Sequence, residues 1–132
     1  MKGRFVIFSD PKSIAVMDEI MAWVSDMSQA SEEGLFDVRL ALTEAINNAI
    51  IHGNAEDPEK QVVIDLDWMQ GVLYCCVSDE GKGFEVTRLA DPRSTENRER
   101  EGGRGVLFIQ EVAEHFIYCN DSRSAKFSIR LK

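Results

Sequence analysis

Apolar residues change period twice along this chain, and each change marks a boundary between elements. Residues 5–8 are a short apolar run closed by Ser9-Asp10-Pro11, which predicts a strand followed by a helix start. Over residues 12–29, Ile14, Met17, Ile20, Met21 and Val24 recur at helical spacing, which predicts one amphipathic helix. A second helix is expected over residues 32–51, with Leu35, Val38, Leu42, Ala45, Ile46 and Ala49 on one face. His52-Gly53-Asn54 then reads as its C-cap. Beyond Asp57-Pro58 the period drops to two. Val62, Ile64, Leu66 and Trp68 alternate with Val63, Asp65 and Asp67, and Met69-Gln70-Gly71 links this strand to a more buried one at 72–77. A polar, glycine-bearing stretch fills residues 78–104, a third helix is expected at 105–114, and two further strands at 116–119 and 127–131. The order β-α-α-β-β-loop-α-β-β predicts an α+β, two-layer sandwich with helices on one face of a mixed, mostly antiparallel sheet.

Composition narrows the class. The chain has 132 residues, 44% hydrophobic and 29% charged, which suits a single globular domain over 1–132. A net charge of −8 disfavours nucleic acid and anionic lipid as partners. An anion could still be held locally by backbone N–H groups, a metal ion or a few basic side chains. Cys75, Cys76 and Cys119, odd in number and two of them adjacent in an apolar run, fit reduced thiols better than a disulfide framework. With no signal-like or membrane-spanning run, a cytoplasmic location is expected.

Three segments could carry chemistry. In the second helix, Glu44 and Asn48 stand four residues apart and so share a face, with Asn47 one step around. Asn is a mediocre helix former, so two in succession at mid-helix ask for an explanation. A carboxylate can take a hydroxyl proton, and an amide oxygen is a hard ligand for Mg2+. A solvated helix face with a capping Asn accounts for the same residues when they are taken alone. Next, Asp79-Glu80-Gly81-Lys82-Gly83-Phe84 leaves a buried strand with two glycines that permit close approach of a ligand, although a glycine turn with a local Asp–backbone bond would read the same. Last, Glu101-Gly102-Gly103-Arg104-Gly105 leads into a helix, whose N-terminal N–H groups can cradle phosphate with help from Arg104, or is simply a glycine linker. It is neither a P-loop nor a dinucleotide fingerprint.

Order and spacing distinguish these alternatives. The E-x-x-x-N helix (Glu44, Asn48), the DxGxGF turn (Asp79 through Phe84) and the glycine-rich third box (Gly102 through Gly105) resemble the ATP-binding fold shared by gyrase, the Hsp90 chaperone, histidine kinases and MutL proteins. "TEAINNAIIHGN", "REGGRGVLFIQEVAEHF" and a short lid of residues 85–101 are most similar to the bacterial anti-sigma-factor serine/threonine kinases. That resemblance implies a protein that binds a sigma factor in one state. In another it uses Mg-ATP to phosphorylate a STAS-domain antagonist, and it works as a homodimer. It further implies Glu44 as general base, Asn48 as Mg2+ ligand, Asn47 beside the phosphates, Asp79 reading the adenine amine with Gly81, Gly83 and Phe84 around the base, and Gly102, Gly103, Arg104 and Gly105 on the phosphates. In that branch the position of Asn47 is often Thr or another small residue. Asn can still donate to a phosphate oxygen, and the departure bears on rate. From Lys82 to Arg104, six basic and five acidic residues leave the expected anion site at +1 within a chain of −8. A nucleotide-gated adaptor with little chemistry is the alternative. A histidine-kinase fragment fits poorly, because neither His52 nor His115 lies upstream of the nucleotide helix.

Overall fold

The structure is a computed structural model that describes residues 1–81, 101–119 and 123–131. Five strands form one sheet in the order β1-β2-β3-β5-β4, and every adjacent pair is antiparallel. They are β1 (Lys2–Phe8), β2 (Gln61–Met69), β3 (Val72–Ser78), β4 (His115–Cys119) and β5 (Ser124–Arg130). Among the described residues three α-helices cover one face: α1 (Met17–Ser28), α2 (Glu32–Asn48) and α3 (Glu101–Val112). This is the expected α+β sandwich.

The helix boundaries differ from expectation in three places, each for a local reason. The first helix is divided. Asp10 caps a 3-10 turn (Pro11–Val16) by accepting from the Lys12 N–H at 2.9 Å, and α1 continues from it. Helix α2 starts at Ser31, whose Oγ accepts from the Gly34 N–H at 3.1 Å, with Glu32 and Glu33 complementing the positive end of the helix dipole. It ends as an α-helix at Asn48 and widens into a π turn, Ala49–Gly53, closed by Asn54 N donating to Ala49 O at 2.8 Å. The third helix is offset from residues 105–114. Its residues 101–104 are already helical, and it stops at Val112, where Glu114 N already donates to Ser128 O. Glycine costs about 1 kcal/mol per helical position relative to alanine. Packing of α3 along α2, its main neighbour, offsets that cost.

One core lies between the layers. Ile20 and Val24 of α1, Val38, Leu42 and Ile46 of α2, Ile50, and Ile109 of α3 meet Val62, Ile64 and Leu66 of β2, Leu73 and Cys75 of β3, and Phe127 and Ile129 of β5. The three cysteines are free thiols, as their sequence context suggested. Burial pushes the Cys75 thiol far up, so it stays protonated. No helix among the described residues is long and apolar enough to cross a membrane. Among the described residues no helix lies over the opposite sheet face, and Val6, Phe8, Tyr74 and Ile117 are exposed on it.

Leu42, fully buried on the central helix, should lose about 2–5 kcal/mol as Leu42→Ala. Phe36→Ala, on the same helix but 65% exposed, should change stability by no more than about 0.5 kcal/mol. Urea unfolding of the two variants checks the assignment of the α2 core face.

Candidate functional site

Helix α2 and strand β3 each deliver one end of the site. Glu44 is half-buried and Asn48 buried, one turn apart on α2, and Asn47 is half-buried beside them. Immediately after Asn48 the backbone takes the π turn. Such wide turns are rare and recur at functional sites, because the extra residue per turn shifts everything that follows. Here the shift carries Gly53 onto Asp79, the first residue past β3.

Asp79 is 6% exposed, and the space around its carboxylate is defined by backbone. Its Oδ1 accepts from the Gly81 N–H at 2.8 Å, and its own N–H donates to the Arg123 carbonyl at 3.0 Å. Gly53 lies so close that a Cβ there would overlap the Asp79 carboxylate, and a Cβ on Gly81 would overlap the Gly53 carbonyl. Two glycines from different segments are therefore both required for the carboxylate to sit where it does. Burial pushes the Asp79 carboxyl above its ordinary range, while the Gly81 N–H and the positive charges of Arg123 and Lys60 pull it partway back. A buried carboxylate with one oxygen committed to the chain keeps acceptor capacity for a ligand donor such as an exocyclic amine.

The third segment approaches from the helix side. Gly102, Gly103, Arg104 and Gly105, expected to precede a helix, lie within α3 instead, and α3 runs beside α2. Gly83, Phe84 and residues 85–100 of the expected lid lie outside the described residues, as does the Arg104 side chain. Among the described residues no cluster of three His, Cys, Asp or Glu side chains could hold a metal ion by itself.

Three residues around the carboxylate were not singled out in the sequence. Gly53 and Asn54 read there as a helix cap, and the adjacent Gly-Asn after His52 was the available signal. Arg123, whose guanidinium donates to the Gly81 carbonyl at 3.2 Å, carries none, because only the β4–β5 connection brings it near.

This fold and this arrangement are those of a nucleotide-binding ATPase domain: the chain belongs to the histidine kinase-like ATPase domain family, whose model matches residues 8–131. Within the family its relatives lie in the anti-sigma branch that the motifs resemble. The anti-sigma F factor of Clostridium perfringens strain SM101 is 27% identical over 135 residues, covering all of this chain and 95% of the relative. That of Geobacillus stearothermophilus is 30% identical over 119 residues, 89% of this chain and 80% of the relative. The solved structure of the RsbU and RsbW domains of Rv1364c from Mycobacterium tuberculosis matches 99% of this chain with a TM-score of 0.68 at 15% identity. This chain spans 32% of that larger one, and the likeness is one of fold.

The close contacts predict their own cost. Gly53→Ala should destabilise by about 1–3 kcal/mol in urea unfolding, because neither the carboxylate nor the Gly81 backbone can yield. Gly34→Ala, where a methyl meets nothing nearer than 3.5 Å in the first turn of α2, should be neutral or stabilising. The pH dependence has a definite sign. Asp79 has a folded-state pKa raised above its unfolded value, so its ionisation costs stability as pH rises through the folded value. Without nucleotide, Asp79→Asn should match or exceed the wild-type Tm at neutral pH. That margin should close as pH falls through the raised value toward the ordinary carboxylate range. A large loss of Tm in this variant at neutral pH would contradict it.

Proposed function

We propose that this chain is an ATP-dependent serine/threonine protein kinase and anti-sigma-type regulator, acting on a STAS-domain antagonist in partner switching. The observation that carries the reading is the junction of the Glu44/Asn48 helix, through Gly53, with the buried Asp79 carboxylate, with α3 packed beside α2. Anti-sigma F factors among the relatives support a sigma factor as the second partner.

In this reading ATP lies between α2, the 79–81 turn and the start of α3. Asp79 accepts from the adenine amine, and Gly81 and Gly83 keep the backbone low enough for the ring, with Phe84 beside it. The glycine-bearing segment 102–105, the Arg104 guanidinium and the Asn47 amide hold phosphate oxygens. Mg2+, where bound, would neutralise developing phosphate charge, with the Asn48 amide oxygen as its protein ligand. Glu44 takes the proton from the attacking serine or threonine hydroxyl. Positioning and charge neutralisation supply most of the acceleration in phosphoryl transfer, so a compact site of this kind suffices.

The uncovered sheet face supports a homodimer. Lys2, Arg4, Asp65, Tyr74, Cys76 and Ile117 are among the residues lining an open depression of about 700 Å³ there. Arg4 and Asp65 pair across β1 and β2 at 2.6 Å, which offsets two of the charges that line it.

Incubated with Mg-ATP and a STAS protein encoded beside it, the chain should yield phosphoserine or phosphothreonine on that partner. Glu44→Gln should lower the transfer rate by about 10²–10⁴-fold while leaving ATP affinity nearly unchanged. Nucleotide-dependent capture of the partner without transfer would favour the adaptor reading instead. Sedimentation equilibrium should show a dimer that Val6→Glu with Ile117→Glu, both on exposed positions, converts to monomer.

A further inference from the structure

Asn54 is 1% exposed and uses every polar group it has. Its backbone N–H donates to Ala49 O at 2.8 Å, closing the π turn, and its carbonyl accepts from Asp57 N at 3.0 Å. Its side-chain Nδ2 donates to Ser9 Oγ at 2.6 Å and to the Gln61 carbonyl at 2.9 Å. Its Oδ1 accepts from the Glu80 N–H at 2.7 Å. The orientation of the amide is forced, because the Gln61 carbonyl can only accept and the Glu80 N–H can only donate. One buried side chain thus ties the end of β1 and the start of β2 to the peptide between Asp79 and Glu80.

That peptide is the one on which the Asp79 carboxylate hangs. From the β2 side the Gln61 N–H also donates to the Glu80 carboxylate at 2.5 Å, and from the other side Arg123 holds the turn: its carbonyl accepts from the Asp79 N–H and its guanidinium donates to the Gly81 carbonyl. Gly53, directly before Asn54, forms the wall against the carboxylate. The residue that makes the wall and the residue that holds the turn are adjacent in one rigid backbone segment. A displacement of the turn relative to Asn54 is therefore a displacement of the carboxylate relative to its wall.

We propose that Asn54 is a positioning residue for base selection: by holding the Glu80 N–H it places the Asp79 carboxylate so that it accepts from an amine at the purine 6-position and repels the carbonyl that guanine presents there. This rests on the reading of Asp79 as the adenine-reading group. A ligand donor bonded to a fixed carboxylate discriminates only while the carboxylate cannot turn to accept the alternative base. The tie from Asn54 supplies that rigidity from the α2 side. Asn54 itself touches no nucleotide.

Calorimetric titration of the full chain with Mg-ATP and with Mg-GTP tests this, using the ratio of the two affinities as the readout. Asn54→Ala should reduce the ATP-over-GTP preference about tenfold, the worth of one hydrogen bond to a charged group. Ser9→Ala removes a different bond of the same amide without touching Glu80, so it should lower Tm and leave the ratio unchanged. Should Asn54→Ala not fold, Asn54→Ser, whose hydroxyl is too short to reach the Glu80 N–H, carries the same expected loss. An unchanged ratio in the Asn54 variant while Asp79→Asn abolishes the preference overturns the proposal and leaves the Asp79 reading standing. Equal losses of preference in Ser9→Ala and Asn54→Ala also overturn it, since the effect would then be one of general packing. If the wild-type chain shows no preference, or Asp79→Asn keeps it, the Asp79 reading itself fails and this proposal with it.

Discussion

A carboxylate held against bare backbone is the constraint on which the site depends. Asp79 leaves β3 into a space walled by Gly53, with Gly81 folded onto the Gly53 carbonyl, and neither position accepts a side chain. Taking a carboxylate out of water is unfavourable, and the raised pKa of Asp79 records that cost. The Gly81 N–H and the nearby Arg123 and Lys60 offset part of it. What remains is a buried acceptor facing a site where a ligand donor could pair with it, a form of preorganisation that an exposed aspartate cannot provide.

The helix that carries Glu44 and Asn48 meets this carboxylate because of how it ends. An ordinary α-helical cap after Asn48 would direct Gly53 elsewhere, whereas the π turn adds a residue and brings it to the end of the central strand β3. Packing of α3 beside α2 places that helix on the same side of the sheet. The groups proposed to read adenine, hold the metal and hold phosphate then come from three segments far apart in sequence. Their relative position depends on the core between them, chiefly Leu42, Ile46, Ile109 and the inward faces of β2 and β3.

The two faces of the sheet are built differently. The covered face presents Val62, Ile64, Leu66, Leu73 and Cys75 to the helices. The other face alternates charged and apolar residues, and its exposed Val6, Phe8, Tyr74 and Ile117 are unusual for a surface otherwise so acidic. A chain of −8 keeps its negative charge away from the proposed phosphate end by balancing the stretch from Lys82 to Arg104 with basic residues. This lets an acidic protein accept a polyanion without a basic surface.

Hydrophobic period alone determined the element order, the core face of α2, the β2–β3 hairpin and the two-layer architecture, because these follow from local spacing of side chains. Residue identity at three places, Glu44/Asn48, Asp79 with its glycines, and residues 102–105, pointed to the family that the comparisons confirm. The start of α3 was misplaced because glycines break helices locally, and only packing against α2 overrides that preference. Gly53, Asn54 and Arg123 were not legible as site residues for a related reason. Asn54 bonds Glu80 across 26 positions and Ser9 across 45, and no local pattern encodes such a pairing. The sequence by itself determined which groups could do chemistry. Tertiary structure decided how closely backbone could approach the Asp79 carboxylate among them, since close approach is a property of two segments at once.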